Sequence, residues 1–316
     1  MSLKRRICED LQIPETLFDS ALKNAKKAVY RFKIPKRNGD SRAIFQSSVK
    51  SKPLQYWLLK NVFEKFHRSD AATAFSEGCS ILKNAQAHQC NRFFLKVDLT
   101  DFFPSITIND VKYSLIKHWP VELPFKPDDE LFEIIQSVCF FKDAGLPIGY
   151  ATSPALSNIV MIDFDEAVNN TLEQHFADEV TFTRYADDMV FSTKKPGRTS
   201  DVYKLIYDLI EKHESPKIKI NPLKTLSTSS TGGGTIVTGI KVCVSHLTIT
   251  REQKDEIRLL LSLCSKGRLS EIELRRLTGL ISFAKSIDTR FYTKISERYF
   301  LEIQKLKLSV RKDIAV

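Results

Sequence analysis

Two adjacent carboxylates, Asp187 and Asp188, are the side chains in this sequence best suited to chemistry. Alternating segments at 180–182 and 191–193 flank them, and this pattern predicts two short strands joined by a turn. Aspartate is common in solvated turns, and that ordinary interpretation applies to an Asp-Asp pair taken alone. Here apolar residues crowd both sides and anchor the turn in a core. Clustered carboxylate oxygens on a rigid anchor are ligands that divalent cations prefer.

A third carboxylate, Asp98, follows a mostly apolar strand pattern at 93–97 and precedes an aromatic turn. Carboxylates from separate elements can hold two magnesium ions roughly 4 Å apart. Such a pair of ions activates an attacking hydroxyl and stabilises the leaving oxygen of an in-line phosphoryl transfer. The sequence therefore predicts that Asp98, Asp187 and Asp188 supply the two metal sites of a phosphoryl-transfer enzyme.

The composition is that of a globular chain with a basic excess. Its 316 residues suffice for one large domain or a few small ones, and 42% of them are hydrophobic. The formal net charge of +10 favours binding to polyanions such as nucleic acid. The six cysteines and six histidines show no metal-ligand spacing. Without a run of about twenty apolar residues or a signal-peptide core, we expect a cytoplasmic protein with no membrane partner.

Three segments form an ordered set of motifs: the strand pattern ending in Asp98, the loop at 146–154, and Tyr-Ala-Asp-Asp at 185–188. In this order and at this spacing they resemble the palm of reverse transcriptases. Residues 84–88 resemble the NAxxH signature of bacterial retron reverse transcriptases, and residues 237–239 resemble their VTG signature. The resemblance covers roughly residues 30–300, which is nearly the whole chain.

The resemblance implies an α+β right-hand polymerase fold with fingers, an RRM-like antiparallel palm and a helical thumb. We predict fingers over 1–92 with an N-terminal helix at 14–29 and further fingers residues within 107–150, a palm over 93–243, and a thumb over 244–316. Apolar spacing predicts further helices at 50–67, 107–118, 128–142, 153–175 and 200–213, and three more in the thumb. The many basic residues of the thumb would follow an RNA backbone.

The resemblance also assigns roles near the acidic cluster. Asp98, Asp187 and Asp188 would be catalytic and would hold two Mg²⁺ ions, with the Leu99 carbonyl as a further ligand. Lys224 would protonate or stabilise the pyrophosphate leaving group. An ordinary surface lysine is the alternative interpretation of Lys224.

Nucleotide-binding residues are expected on either side of this cluster. Lys36 and Arg42 lie on a hairpin that an Asn-Gly pair at 38–39 predicts, and they would face the triphosphate. Phe103 would lie under the sugar and clash with a ribose 2′-hydroxyl. Gly149 permits close approach of the backbone to a substrate, whereas Ile148 departs from the glutamine of retroviral members.

The retron signatures give a second set of candidate residues. Asn84 and His88 are four residues apart on a predicted helix, so their side chains share a face and are either RNA-facing or fold-organising. Val237, Thr238 and Gly239 fall in a strand-like segment at 236–242 that resembles the primer-grip region.

The function that the resemblance implies is RNA-directed DNA synthesis of the retron type. The partners would be deoxynucleoside triphosphates, a cognate structured noncoding RNA that is both template and primer, its DNA product, and a separate effector protein in antiphage defence. Priming from an internal 2′-hydroxyl would give branched RNA–DNA, known as msDNA. Two alternatives remain open: a group II intron-like or other bacterial reverse transcriptase, and a non-catalytic scaffold that binds RNA or an effector. The two signatures disfavour the former, and the intact acidic trio disfavours the latter.

Overall fold

The computed structural model describes residues 2–25, 27–35, 39–142 and 144–306. These residues form two units, each with its own set of contacts. Described residues of the first unit lie within Met1–Cys79, Leu95–Phe191 and Gly197–Leu226, and those of the second lie within Ser80–Phe94, Ser192–Pro196 and Ser227–Val316.

Helices make up most of the regular structure. In the described ranges they are α1 (Leu3–Leu11), α2 (Glu15–Ala25), α3 (Lys52–Asn61), α4 (Ile81–Ala87), α5 (Phe102–Ser105), α6 (Ile108–Lys117), α7 (Asp129–Cys139), α8 (Ser153–Val160), α9 (Ile162–Phe176), α10 (Arg198–Lys212), α11 (Arg251–Ser265), α12 (Glu271–Ile287) and α13 (Thr289–Arg298). Short 3-10 helices occupy Phe63–Lys65 and Ala177–Glu179. Capping boxes at Thr107, Thr250 and Ser270 satisfy the first amides of α6, α11 and α12. No helix in the described ranges is long and apolar enough to cross a membrane.

Within the same ranges the strands form three sheets. They are β1 (Tyr30–Pro35), β2 (Ser41–Gln46), β3 (Phe93–Asp98), β4 (Val180–Tyr185), β5 (Asp188–Thr193), β6 (Leu226–Ser229), β7 (Thr235–Val237), β8 (Ile240–Val242) and β9 (Leu247–Thr248). Strands β1 and β2 pair antiparallel, with Tyr30 opposite Gln46 and Pro35 opposite Ser41. The four-stranded sheet has the order β4-β5-β3-β6, while β7, β8 and β9 form an antiparallel sheet.

Each unit buries its own apolar core. In the first unit, helices pack their apolar faces around the sheet strands, and fully buried side chains include Leu58, Leu99, Leu115, Ile135 and Phe164. In the second unit, α11, α12 and α13 bury a separate set of side chains that includes Ile257, Leu261, Leu277 and Ala284. Residues spaced three or four apart on a helix share a face, so these patterns follow directly from the sequence.

A fully buried ion pair fixes the hairpin formed by β4 and β5. The Arg184 guanidinium donates through Nε and Nη2 to the two carboxylate oxygens of Asp165 in α9, at 2.7 Å each. Its Nη1 also donates to the Ala186 carbonyl at 3.2 Å and to Asn158 Oδ1 at 3.3 Å. The planar guanidinium group presents two N–H donors that match the two oxygens of a carboxylate. One side chain thereby links the hairpin turn to α8 and α9.

Helix α1 and the short helix α5 do not follow from the sequence patterns that predict the other helices. The stabilisation of α1 comes from a distant part of the chain. The amides of Leu3 and Lys4 at its start donate to the Glu130 carboxylate at 2.9 and 3.0 Å. Glu130 lies 127 residues from Leu3, so this stabilisation depends on the folded chain. Ile7 adds a fully buried apolar contact.

Several predicted elements differ from the structure. The predicted helix at 50–67 consists of α3 and the 3-10 helix at Phe63–Lys65, because Val62 between them has non-helical dihedral angles. The predicted helix at 153–175 consists of α8 and α9, because Met161 between them has non-helical dihedral angles (φ −89°, ψ 4°). The predicted strand at 236–242 is a hairpin of β7 and β8. Thr238 and Gly239 have φ of +44° and +83°, and positive φ at both central residues is typical of a two-residue hairpin turn.

Asp165→Asn should leave the Arg184 guanidinium buried without a counter-charge. We expect this variant to lose about 3 kcal/mol or more of unfolding free energy, since an uncompensated buried charge is strongly destabilising. Asp201→Asn, which removes the exposed ion pair with Arg198, is the control and should lose less than about 1 kcal/mol. Urea unfolding at neutral pH measures both losses, and equal losses would contradict the assignment of the buried pair as the main constraint on the hairpin.

Candidate active site

The three predicted carboxylates lie at the ends of neighbouring strands. Asp98 ends β3, Asp187 lies in the turn after β4, and Asp188 begins β5. Strands β3 and β5 are adjacent in the sheet. The Leu99 amide donates to the Asp187 carbonyl at 3.1 Å, which ties the end of β3 to the turn. The structure therefore brings together the residues that the sequence predicts to act together.

Asp98 is buried and bound by the segment that follows α10. Lys224 Nζ lies 2.9 and 3.2 Å from its two carboxylate oxygens, and Asn221 Nδ2 donates to Oδ2 at 3.1 Å. The Asn221 amide also donates to the Asp98 carbonyl at 2.8 Å. An antiparallel β-bridge between Leu99 and Ile220 extends this backbone pairing by one residue on each segment. Sequence reasoning missed Asn221, although its position three residues before Lys224 offered a signal.

Asp187 and Asp188 are held in surroundings that disfavour their charged forms. Burial, followed by the negative charges of Asp187 and Asp98, raises the pKa of Asp188 to about 6. Burial also raises the pKa of Asp187, and the charge of Asp98 acts in the same direction. Two side chains oppose these shifts at Asp188, namely Lys224 and Lys96. The cluster therefore carries more negative charge than nearby cations compensate.

The basic groups beside the cluster respond to the same charges. The hydrogen bond to Asp98 raises the pKa of Lys224, which keeps its ammonium protonated. Burial lowers the pKa of Lys96 in β3, and the charge of Asp188 acts in the opposite direction. The Arg42 guanidinium in β2 contributes a positive charge that acts on Asp187. Lys36 lies outside the described residues.

The carboxylates of Asp98, Asp187 and Asp188 suit divalent cations, although their oxygens do not converge on one point. Among the described residues, no three His, Cys, Asp or Glu side chains are gathered as a ready metal site. The position of Lys224 against both oxygens of Asp98 shows that a cation is accommodated there. Carboxylate oxygens are hard ligands, and a divalent ion would offset both the burial and the repulsion that raise the pKa values of Asp187 and Asp188.

The loop at 146–154 is bonded to the hairpin of β1 and β2. The Phe45 amide of β2 donates to the Ile148 carbonyl at 2.8 Å. Gly149 follows with φ +108°, and a Cβ placed there would lie 2.6 Å from the Phe45 carbonyl oxygen and 2.9 Å from Ile44 Cγ2. Only glycine meets both the dihedral angle and the close approach. Ile148 thus acts here through its backbone.

Aromatic rings surround the position predicted to lie under the nucleotide sugar. Phe103 is half-buried, and Phe102 beside it is buried in the core, with the two ring centroids 5.4 Å apart. The Phe75 ring contacts Phe103 from another segment, with centroids 6.2 Å apart. Sequence reasoning missed Phe75, because nothing in its local pattern separates it from an ordinary core aromatic residue.

The two signature motifs meet inside the second unit. Asn84 and His88 are fully buried, and Asn84 Nδ2 donates to Thr238 Oγ1 at 3.2 Å. His88 Nδ1 lies 2.6 Å from Ser192 Oγ. Val237 is buried at the end of β7, while Thr238 and the exposed Gly239 form the hairpin turn. These contacts favour the fold-organising interpretation of Asn84 and His88.

Comparison with known proteins identifies the family. The model of the family described as reverse transcriptase (RNA-dependent DNA polymerase) matches residues 34–260. The retron Ec73 reverse transcriptase of Escherichia coli is 40% identical over 91% of this chain and 92% of its own length. The retron Ec83 reverse transcriptase of Escherichia coli is 30% identical over 89% of this chain and 90% of its own length.

Solved structures share the fold at low sequence identity. Telomerase from Candida albicans, in complex with a TWJ fragment of telomeric RNA, has a TM-score of 0.50 at 13% identity over 88% of this chain. Apo telomerase from Candida tropicalis gives the same TM-score, identity and coverage of this chain. The chain spans 56% and 58% of the lengths of those two telomerase chains.

Together the mixed helices and antiparallel sheets, the shared fold and the family match define a reverse transcriptase fold, which confirms the predicted fold class. Among such enzymes the relatives are those of bacterial retrons. The chain belongs to the reverse transcriptase family, within its retron branch, and is an RNA-directed DNA polymerase. Enzymes of this family generally use divalent metal ions.

Gly149→Ala should separate β2 from the loop at 146–154. We expect it to lose at least about 2 kcal/mol more unfolding free energy than Gly197→Ala, because it adds a clash with the Phe45 carbonyl to the strain of a positive φ. Gly197 also has a positive φ (+80°), but a Cβ added there would meet only open space, so it serves as the control. Thermal unfolding measures the stability of each variant, and primer extension on an RNA template measures its activity. Similar losses in both variants would rule out the close approach as the cause.

His88 should make the folded state sensitive to acid. Burial lowers its pKa to about 4, so between about pH 6.5 and pH 4 the unfolded chain binds a proton that the folded chain does not. Stability should therefore fall as pH falls, and His88 alone contributes a loss of about 2 kcal/mol between roughly pH 7.5 and pH 5.

Urea unfolding of the wild type and His88→Asn at these two pH values measures this contribution. We expect His88→Asn to be less stable than the wild type at neutral pH and to lose less stability on acidification. His67→Asn, at an exposed histidine, is the control and should keep the wild-type pH dependence. A His88→Asn profile parallel to the wild type would contradict the prediction.

Proposed function

We propose that this chain copies a cognate structured noncoding RNA into single-stranded DNA. Synthesis would start from an internal 2′-hydroxyl of the same RNA and give branched RNA–DNA, or msDNA. The observation that carries the proposal is that Asp98, Asp187 and Asp188 share one end of the sheet in a chain of the retron branch. The RNA-directed activity of the family supplies the template class.

The reaction we infer is attack of a primer hydroxyl on the α-phosphate of a deoxynucleoside triphosphate. Asp98, Asp187 and Asp188 would hold two Mg²⁺ ions, with the Leu99 carbonyl as a further ligand. When bound, such ions favour deprotonation of the attacking hydroxyl and neutralise charge on the leaving oxygen. The raised pKa values of Asp187 and Asp188 support this assignment, because bound cations would offset both their burial and their repulsion.

Lys224 would change partners during this reaction. Its ammonium bonds both oxygens of Asp98, so it competes with a metal ion for that carboxylate. The Lys224 side chain is 58% exposed, whereas the Asp98 side chain is only 11% exposed, so the ammonium can move into solvent once a metal ion compensates the buried carboxylate. Lys224 is therefore free to move toward the pyrophosphate, where its charge or its proton would assist departure.

The nucleotide would lie between the hairpin of β1 and β2 and the loop at 146–154. Arg42 and Lys36 would contact the triphosphate, and the action of the Arg42 charge on Asp187 supports this for Arg42. Phe103 would lie under the sugar and exclude ribonucleotides. Gly149 and the Ile148 backbone would hold the loop close to the nucleotide.

The polymerase regions we propose are fingers over 1–92 with part of 107–150, a palm over 93–243 and a thumb over 244–316. The thumb would bind the cognate RNA, and the basic side chains along α11, α12 and α13 support this assignment. A separate effector protein would act with the enzyme and its msDNA in antiphage defence in the cytoplasm.

Sequencing of small nucleic acids from cells that carry the native locus tests the proposed product. The wild type should yield an abundant single-stranded DNA linked to RNA through a 2′ branch. Asp187→Asn/Asp188→Asn should reduce that DNA by at least about a thousandfold, because the acidic cluster would no longer hold the metal ions.

Asp178→Asn is the matched control, since Asp178 is an exposed aspartate just before β4. It should leave the DNA unchanged. If the wild type makes no RNA-linked DNA while the protein still copies a supplied primed RNA, priming from the 2′-hydroxyl is wrong. If it copies no template and only retains a discrete RNA, the scaffold alternative is correct.

A further inference from the structure

Phe75 has a backbone conformation that large side chains rarely adopt. Its φ is +59°, in the left-handed region that glycine and asparagine favour, and its side chain is 47% exposed. A bulky aromatic residue in this region is strained, and such strain persists only where surrounding contacts impose it. Neither the burial of the ring nor the local sequence explains why an aromatic residue stands here.

The contacts that impose this conformation come from the segment just before Phe75. The Thr73 amide and hydroxyl donate to the Arg184 carbonyl at 2.9 and 3.1 Å, and the Arg184 amide donates to the Ala71 carbonyl at 2.7 Å. Asn158 Nδ2 donates to the Ala74 carbonyl at 2.9 Å. The segment is therefore attached to β4 and α8, beside the buried pair of Arg184 and Asp165.

The strained backbone places the Phe75 ring between two residues of the proposed site. Its centroid is 6.2 Å from that of Phe103 and 6.2 Å from that of Tyr185, which directly precedes the acidic turn. Phe102 contacts Phe103 at a centroid distance of 5.4 Å. Phe103 is thereby flanked by a buried ring and by a half-exposed ring, and Phe75 alone of these two flanking rings reaches solvent.

We propose that Phe75 is a positioning residue for sugar selection. By contacting Phe103, its ring holds the Phe103 ring against the nucleotide sugar and keeps it from yielding to a ribose 2′-hydroxyl. The contact with Tyr185 fixes the position of these rings relative to the turn that carries Asp187 and Asp188. The inference rests on the proposed placement of Phe103 under the sugar.

Primer extension on an RNA template, with deoxynucleotides and ribonucleotides measured separately, tests the inference. The quantity of interest is the kcat/KM for deoxynucleotides divided by the kcat/KM for ribonucleotides. Phe75→Ala should lower that ratio about tenfold, since one lost ring contact is comparable to the loss of a small apolar group in a specificity pocket. Phe75→Leu, which keeps an apolar contact, should give an intermediate ratio.

Two further variants separate positioning from a merely structural role. Phe75→Gly removes the ring and also fits the positive φ, so it should match Phe75→Ala in selectivity while unfolding at a higher temperature. Tyr56→Ala removes an aromatic side chain of similar exposure (54%) from α3 and should leave the ratio unchanged. A fall in activity with both sugars at an unchanged ratio would assign Phe75 a structural role and overturn the inference.

Phe103→Val distinguishes failure of this inference from failure of the proposed site. If Phe103→Val relaxes sugar selection while Phe75→Ala does not, Phe75 does not position Phe103, and the placement of Phe103 stands. If neither variant changes the ratio, both the placement of Phe103 and the role of Phe75 are wrong.

Discussion

The buried ion pair between Arg184 and Asp165 is the constraint on which the proposed active site depends. Both side chains are fully buried, so their charges stay favourable only while the bidentate geometry is kept. The same guanidinium bonds the Ala186 carbonyl in the acidic turn, and the Arg184 backbone bonds the segment that ends at Phe75. Arg184 thus fixes both the turn that carries Asp187 and Asp188 and the segment that ends at Phe75, the residue proposed to position Phe103.

Whereas Arg184 and Asp165 carry opposite charges that attract, the acidic cluster brings like charges together. Asp187 and Asp188 repel each other and Asp98, and burial disfavours their charges further, so this turn is less stable in the charged form than an ordinary one. Lys224 compensates part of the charge from a side chain that is 58% exposed, and in the proposed reaction a metal ion would replace it beside the buried Asp98. The proposed site therefore combines the Arg184–Asp165 pair, which holds its geometry, with the Lys224–Asp98 pair, which would separate during the proposed reaction.

The contacts around Gly149 extend this rigid framework to the hairpin of β1 and β2. Phe45 in β2 is bonded to the loop through the Ile148 carbonyl, and Gly149 leaves no room for a side chain beside it. A displacement of β2, which carries Arg42, would therefore strain the loop proposed to lie next to the nucleotide. The proposed triphosphate contact of Arg42 and the loop proposed to lie next to the nucleotide are in this way linked through one short stretch of backbone.

The sequence by itself determined the family, the order of the motifs, and the strand-turn-strand pattern that carries Asp187 and Asp188, because alternation and turn residues are local signals. It also placed Asp98 correctly at a strand end. Only the tertiary structure decided that Arg184 pairs with Asp165, that Lys224 and Asn221 hold Asp98, and that Phe75 meets Phe103. These partners lie from 19 to 126 residues apart, and packing of separate elements, which no local pattern encodes, brings them together.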